Sequence, residues 1–225
     1  MAARTDRPFC RRLYGGEKGG IVSVGLTFLL AGRKRGASVT MILSGMLVSA
    51  FFSSLVALLK FTADPQEKLP QIVYWLMGSL ASVKFDGLLL ILPAYLAALT
   101  LLFLYRWRIN ILGMGEQEAP SMDVTVRRDR AVIILAATLV TALVVSISGI
   151  IGWVGIVIPH LARMIVGPDF RRLMPVSASL GIVYLLVIDD LCRTLTALEI
   201  PIGVITGIVS IPIFIYFILR KKVRW

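Results

Sequence analysis

Ser148-Gly-Ile-Ile-Gly-Trp-Val-Gly-Ile-Val-Ile-Pro-His-Leu-Ala-Arg-Met-Ile-Val-Gly-Pro-Asp-Phe-Arg-Arg172 is the stretch on which the reading of this chain turns. It is mostly apolar, broken by glycines and a proline, and closed by a basic turn. Extended upstream, the apolar run covers 131–166 and its only ionisable members are His160 and Arg163. A bilayer-crossing helix needs about 20 mostly apolar residues, so the run reads as two passes joined near Gly149–Gly155. Comparable stretches lie near 38–59, 87–105, 173–189 and 202–219, and a shorter one at Ile21–Ala31. Ile72–Leu80 is too short to span and reads as a re-entrant or interfacial helix, which survives at membrane depth only when buried in protein or facing a water-filled cavity. Tyr74 and Trp75 serve equally well as interface anchors. The expected fold is all-α: a polytopic transmembrane helical bundle of about six to seven membrane helices plus that short helix.

Composition agrees. Of 225 residues, 57% are hydrophobic and 16% charged, against roughly half and a quarter in globular proteins. The net charge of +11 raises nucleic acid as a partner, but its distribution excludes one. Basic residues gather in alternate loops: Arg33, Lys34 and Arg35; Arg106, Arg108, Arg127, Arg128 and Arg130; Arg163, Arg171 and Arg172; Arg220, Lys221, Lys222 and Arg224. The intervening loops hold isolated cations, Lys60, Lys68, Lys84 and Arg193. By the positive-inside rule, the C-terminus and the 106–130 loop lie in the cytoplasm of a multi-pass protein in the cytoplasmic membrane. Residues 1–20 read as an irregular basic tail with no secretory signal, ahead of one membrane domain over 21–225. Cys10 and Cys192 support neither a disulfide framework nor a metal site, and the single histidine, His160, rules out a multi-histidine centre.

Several residues stand out. Ser44, Gly45, Ser49, Ser53 and Ser54 recur at helical spacing, either as a close-packing face or as the lining of a polar pathway. The 106–130 loop reads as a docking surface, with a plain connector as the alternative. Asp189 sits one turn before Arg193 and can pair with it. Ionisable residues in membrane segments are functional candidates, against which stands simple mutual neutralisation. Asp189 and Asp190 are adjacent and point to different faces, so they form no carboxylate dyad. His160, after Pro159, reads as making a buried hydrogen bond, and Gly152 and Gly155 as allowing a tight turn or close helix contact. A membrane-embedded enzyme would need a nucleophile, paired-acid or zinc constellation that is not evident. No phosphate-binding Gly-x-x-x-x-Gly-Lys-[Ser/Thr] loop occurs, so no cofactor is expected in this chain.

From about Phe28 to Arg220 the chain resembles the FecCD-type, or BtuC-like, permeases of ATP-binding-cassette importers. Tyr74-Trp-Leu-Met-Gly-Ser79 is similar to a W-x-M-G-S segment, Leu112-Gly-Met-Gly-Glu-Gln-Glu-Ala119 to an L-G-E-x-x-A run, and Gly149–Arg163 to G-x-x-G-F-V-G-L-x-x-P-H-x-x-R. Gly167-Pro-Asp-Phe-Arg-Arg172, Asp189-Asp-Leu-Cys-Arg193 and Ile200-Pro-Ile-Gly-Val-Ile-Thr-Gly207 resemble three further segments in order. Singly these are weak; ordered and correctly spaced, they are specific.

The resemblance implies a permease that moves iron–siderophore, haem or cobalamin-type substrates. It implies two cytoplasmic ATPase subunits that bind the ATP, an external substrate-binding protein, a second permease copy (identical or paralogous) and surrounding lipid. It makes Gly113–Val126 the coupling loop, with Gly113, Gly115, Glu116, Glu118 and Ala119 at the ATPases. It places Arg193 against an acidic residue of the binding protein. The family has about ten membrane helices, so the chain is expected to be an N-terminally truncated or mis-started product with Ile21–Ala31 as the stub of helix four. A non-transporting fragment is the alternative to a working permease. Pro120 and Asp123 stand where Arg and Gly are usual, and Asp190 has no counterpart.

Overall fold

The apolar runs form helices because hydrocarbon offers backbone N–H and C=O groups no partner outside the chain. The structure, a computed structural model, describes residues 19–30, 37–81, 83–114, 126–195 and 200–220. Among these there are eight helices and no strand. They are α1 (Gly19–Leu30), α2 (Ala37–Thr62), α3 (Lys68–Leu76), α4 (Phe85–Met114), α5 (Val126–Ser148), α6 (Val154–Val166), α7 (Phe170–Thr194) and α8 (Ile202–Arg220).

The all-α, multi-pass architecture is as expected, but the helices are less even. Four, α2, α4, α5 and α7, contain stretches long and apolar enough to cross a membrane. The apolar parts of α1, α6 and α8 are shorter. At 1.5 Å per residue, α6 reaches about 20 Å, short of a hydrocarbon core of about 30 Å. The run 131–166 does divide, with α5 ending at Ser148 and α6 starting at Val154.

Three boundaries move. The 106–130 segment is not all loop: α4 runs on to Met114 and α5 begins at Val126. Ile111 is buried there against Leu112 and Val126, and Arg108 is paired with Asp129 of α5. The short helix lies at Lys68–Leu76, earlier than Ile72–Leu80, because Gly78 takes φ +71 and a left-handed residue stops a helix. Gly19 and Gly20 belong to α1 and not to an irregular tail; residues 1–18 lie outside the described residues.

Packing runs in pairs. Helices α4 and α5 meet around Ile91 and Leu143, backed by Ala94, Tyr95, Leu139 and Ile147. Helix α7 lies against α4, α6 and α8, and its junction with α8 centres on Ile188, Cys192 and Ile202. Helix α1 touches α5 at Gly20 and α2 at Thr27–Gly45. Outward-facing residues of α7, such as Ile182, Val183, Leu186 and Val187, are apolar and exposed, as suits a surface turned to hydrocarbon.

Candidate functional site

Three segments that are far apart in sequence meet in one backbone junction. They are the end of α3, the break between α5 and α6, and the start of α8. Ser79 N–H donates to the Ser148 carbonyl (2.8 Å), Ile202 N–H to the Gly78 carbonyl (3.1 Å) and Gly203 N–H to the Met77 carbonyl (3.1 Å). Such bonds need the strands of backbone in contact, and glycine permits it. A Cβ on Gly78 would stand 2.6 Å from the Ile150 carbonyl oxygen, one on Gly149 would overlap the Trp75 carbonyl, and one on Gly203 the Met77 carbonyl. Gly149 also has φ +71. Ser79 and Ser148 are buried in the junction, and Ser148 Oγ donates to the Val144 carbonyl at 3.0 Å. The close approach therefore occurs at Gly78, Gly149 and Gly203. Gly152 and Gly155, expected to allow a tight turn or close helix contact, have nothing within 4 Å of an added Cβ, while the Gly152 carbonyl accepts from Val154 N–H at 2.8 Å in the turn into α6. Trp153, at the N-cap of α6, takes φ +66, rare for a bulky residue, and its indole lies against Gly207 of α8.

Beside the junction lies a cavity of about 1280 Å³. Its polar wall includes Lys68 and Gln71 of α3 and Thr138, Thr141 and Ser148 of α5, while α2 offers only Val56 and Leu59. The serine face of α2 is elsewhere. Ser44 is buried and donates to the Thr40 carbonyl (2.7 Å), Gly45 lies against Thr27, and Ser49 and Ser53 are exposed. Among the described residues no three His, Cys, Asp or Glu groups are placed to hold a metal ion.

The end of α4 is held from two sides. Arg108 Nη1 donates to Asp129 Oδ1 of α5 at 2.6 Å, and the carboxyl is almost fully buried while the guanidinium stays partly exposed. The guanidinium also lies over the Tyr105 ring, and Asp129 Oδ2 has no hydrogen-bond partner among the described residues. Two residues on, Asn110 Nδ2 donates to Asp169 Oδ1 (2.6 Å), and Asn110 Oδ1 accepts from Phe170 N–H (2.9 Å). Asp169 is the N-cap of α7 and also accepts from Arg171 N–H at 3.0 Å. The Arg171 N–H and then the Asn110 amide hold its carboxyl below the usual carboxylate range. Of the coupling-loop residues, Gly113 is exposed at the end of α4; Gly115, Glu116, Glu118 and Ala119, with Pro120 and Asp123, lie outside the described residues.

At the other end of α7, Arg193 Nε donates to Asp189 Oδ2 at 2.8 Å, with the arginine side chain 48% exposed. Asp190 is exposed. Between the ends, a polar seam joins α7 to α8: Tyr184 Oη and Ser210 Oγ are 2.6 Å apart, and Thr206 and Ser210 are fully buried. Pro159 sits within α6. Its neighbour His160 makes an edge-to-face contact with Phe214 at 5.4 Å, where a buried hydrogen bond was expected. Sequence reasoning missed Gly78 and Gly203, though both lie in the quoted motifs. It also missed Asn110, whose partners are 59 and 60 positions away and leave no local signal.

A model of the FecCD transport family matches residues 11–220, which extends the likeness upstream of Phe28. The molybdate import system permease protein MolB of Haemophilus influenzae is 38% identical over 90% of this chain and 60% of its own length. The hemin transport system permease protein HmuU of Yersinia pestis is 33% identical over 93% of this chain and 63% of its own. A solved structure of a transporter assigned to the metal-chelate ABC type, in an inward-facing conformation, matches 93% of this chain and 73% of its own, with a TM-score of 0.84 and 33% identity. The chain thus spans about three fifths of the length of these two curated relatives.

Proposed function

The chain belongs to the FecCD transport family, a family of permeases and not of enzymes, and on that premise we propose that it is a transmembrane subunit of an ATP-binding-cassette importer. Its substrates are metal chelates of the iron–siderophore, haem or cobalamin type, with the molybdate carried by a relative as an oxyanion to test beside them. Two cytoplasmic ATPase subunits bind the ATP. An external binding protein delivers substrate, and a second permease copy completes the assembly. The C-terminus and segment 115–125 face the cytoplasm.

One observation carries this reading. Helix α7 begins at a turn tied to α4 just before segment 115–125 and ends in an exposed Arg193. At 25 residues it is about 37 Å long, so its ends reach opposite faces of a bilayer. That is the placement needed by an element with ATPases on one side and a binding protein on the other.

The test is co-purification in detergent with the ATPase and binding protein encoded beside it. A stable complex with substrate-stimulated ATP hydrolysis supports the proposal. A chain that inserts but recruits no ATPase is a non-transporting fragment. Arg193→Glu places like charges one turn apart from Asp189 and is expected to weaken docking of the binding protein without loss of insertion; unchanged docking would sink that role. A polar scramble of Gly115–Ala119 is expected to uncouple hydrolysis from uptake, and normal uptake would remove the coupling role.

A further inference from the structure

We propose that Asn110 is a positioning residue of the transport cycle: it ties the end of α4 to the first turn of α7, so that displacement of the α4 end passes into α7. The proposal rests on the permease reading above and names a residue within it.

The geometry is specific. Arg108 and Asn110 are two residues apart and so about 200° apart around α4. One side of the helix end is held to α5 through Asp129, the other to α7 through Asp169. The end of α4 and the start of α5 are both held in this clamped set.

The tie to α7 is a cap built by a foreign residue. The first N–H groups of a helix have no intrahelical acceptor. In α7 the Phe170 N–H is taken by Asn110 Oδ1, and the Arg171 N–H by Asp169 itself. Asn110 thus makes two bonds in opposite senses, donating to a carboxylate and accepting from a backbone amide. The bond to the carboxylate is short and charge-assisted, and the lowered carboxyl keeps it so. A carboxylate at position 110 would face the Asp169 carboxylate with no hydrogen between them, and the repulsion would drive the two side chains apart and open the Phe170 N–H bond. An aliphatic residue would leave the Phe170 N–H without its partner and Asp169 Oδ1 with the Arg171 N–H alone. Beyond the cap, α7 runs unbroken to Asp189 and Arg193, packed along α6 and α8. A displacement delivered at Asp169 therefore enters a continuous helix, in which Pro175 removes one backbone hydrogen bond.

The test uses the complex with its ATPases and binding protein in lipid vesicles. It reads substrate transported per ATP hydrolysed, a ratio that the amount of folded protein does not change. In parallel, amide exchange is followed at Phe170. Asn110→Asp is expected to lower the ratio by about fivefold, the size of a weak equilibrium coupling between two sites, and to speed exchange at Phe170. The double variant, Asn110→Asp with Asp169→Asn, removes the like-charge contact and re-forms the 110–169 bond with donor and acceptor exchanged, at the expense of the Arg171 N–H bond that shares Asp169 Oδ1, and is expected to restore both in part. If the single variant does not fold, the double variant and Asn110→Ala carry the same comparison. An unchanged ratio in Asn110→Asp, or a double variant that recovers Phe170 protection without the ratio, would make Asn110 a helix cap only and overturn the proposal. An unmodified complex without substrate-stimulated hydrolysis would overturn the permease reading and the coupling role with it, a result recognisable because no substitution is involved.

Discussion

Replacing Gly203 by alanine adds one methyl group where the backbone of α3's exit already stands. The new Cβ would overlap the Met77 carbonyl and lie 3.0 Å from the Ile150 carbonyl oxygen. Neither neighbour is a flexible side-chain tip, so relief means parting two backbone segments. Parting them stretches the Gly203 N–H to Met77 and Ile202 N–H to Gly78 bonds, both 3.1 Å. At about 0.5–1.5 kcal/mol net each, their loss costs about 1–3 kcal/mol. Overpacking adds about 1–3 kcal/mol, for a total of about 2–6 kcal/mol. Gly149→Ala has a comparable clash and in addition forces φ +71 on a residue with a Cβ, worth about 1–2 kcal/mol more. The control is Gly152→Ala, where the methyl meets nothing within 4 Å; it is expected to be neutral or stabilising by up to about 1 kcal/mol. The assay is the folded fraction of the detergent-solubilised chain after a temperature series, read by size-exclusion chromatography. The expected order of stability is Gly152→Ala, then Gly203→Ala, then Gly149→Ala. A Gly203→Ala chain as heat-resistant as Gly152→Ala would refute the junction as a close-packed element.

Three further outcomes follow from the same structure. Arg108→Met strips the partner from the buried Asp129 carboxylate, and because the arginine is partly exposed the expected loss is about 1.5–3 kcal/mol. Additional substitution of Asp129→Asn should recover part of it in the same thermal series, and no recovery would contradict a charge-based cause. Tyr184→Phe removes the partner of the fully buried Ser210 hydroxyl, with an expected cost of about 1–2 kcal/mol; an unchanged melting profile would mean that the seam contributes nothing. The Asp169 carboxyl is lowered from 3.8 in the folded chain. Its stabilisation is complete above pH 3.8 and disappears as pH falls through the lowered folded value. The stability gap between the native chain and Asp169→Asn should be flat through the neutral range and close only in that acidic window. A gap that closes near neutrality would contradict this account.

How much of this was legible depended on the distance over which each residue acts. The break between α5 and α6 was readable because glycines interrupt an apolar run longer than a bilayer is thick. That the close approach falls at Gly149 and not at Gly152 or Gly155 was not readable. Every glycine permits it, and the choice depends on where Trp75 and Met77 arrive from another part of the chain. The reach of α4 past Arg106 was hidden for a related reason. Charges usually end an apolar span, but here Arg108 is matched by Asp129 and Ile111 by Val126 across the intervening segment. The serines of α2 recur at helical spacing, yet spacing does not say which neighbour a face meets, and Ser49 and Ser53 turned out exposed. The Asp189–Arg193 pair was legible because it is local to one turn. The Asn110–Asp169 tie joins two helices and has no local signature.

As proposed, this chain forms part of an ATP-driven import channel, and uptake into vesicles is the decisive measurement. The chain is reconstituted with its ATPase and binding protein, and iron–siderophore, haem, cobalamin and molybdate are offered in turn with ATP. Accumulation of one of them that needs both ATP and the binding protein, and that falls in Arg193→Glu, is the predicted result. A stable, correctly inserted complex that hydrolyses ATP at the same rate with and without every substrate, and accumulates none, would contradict it.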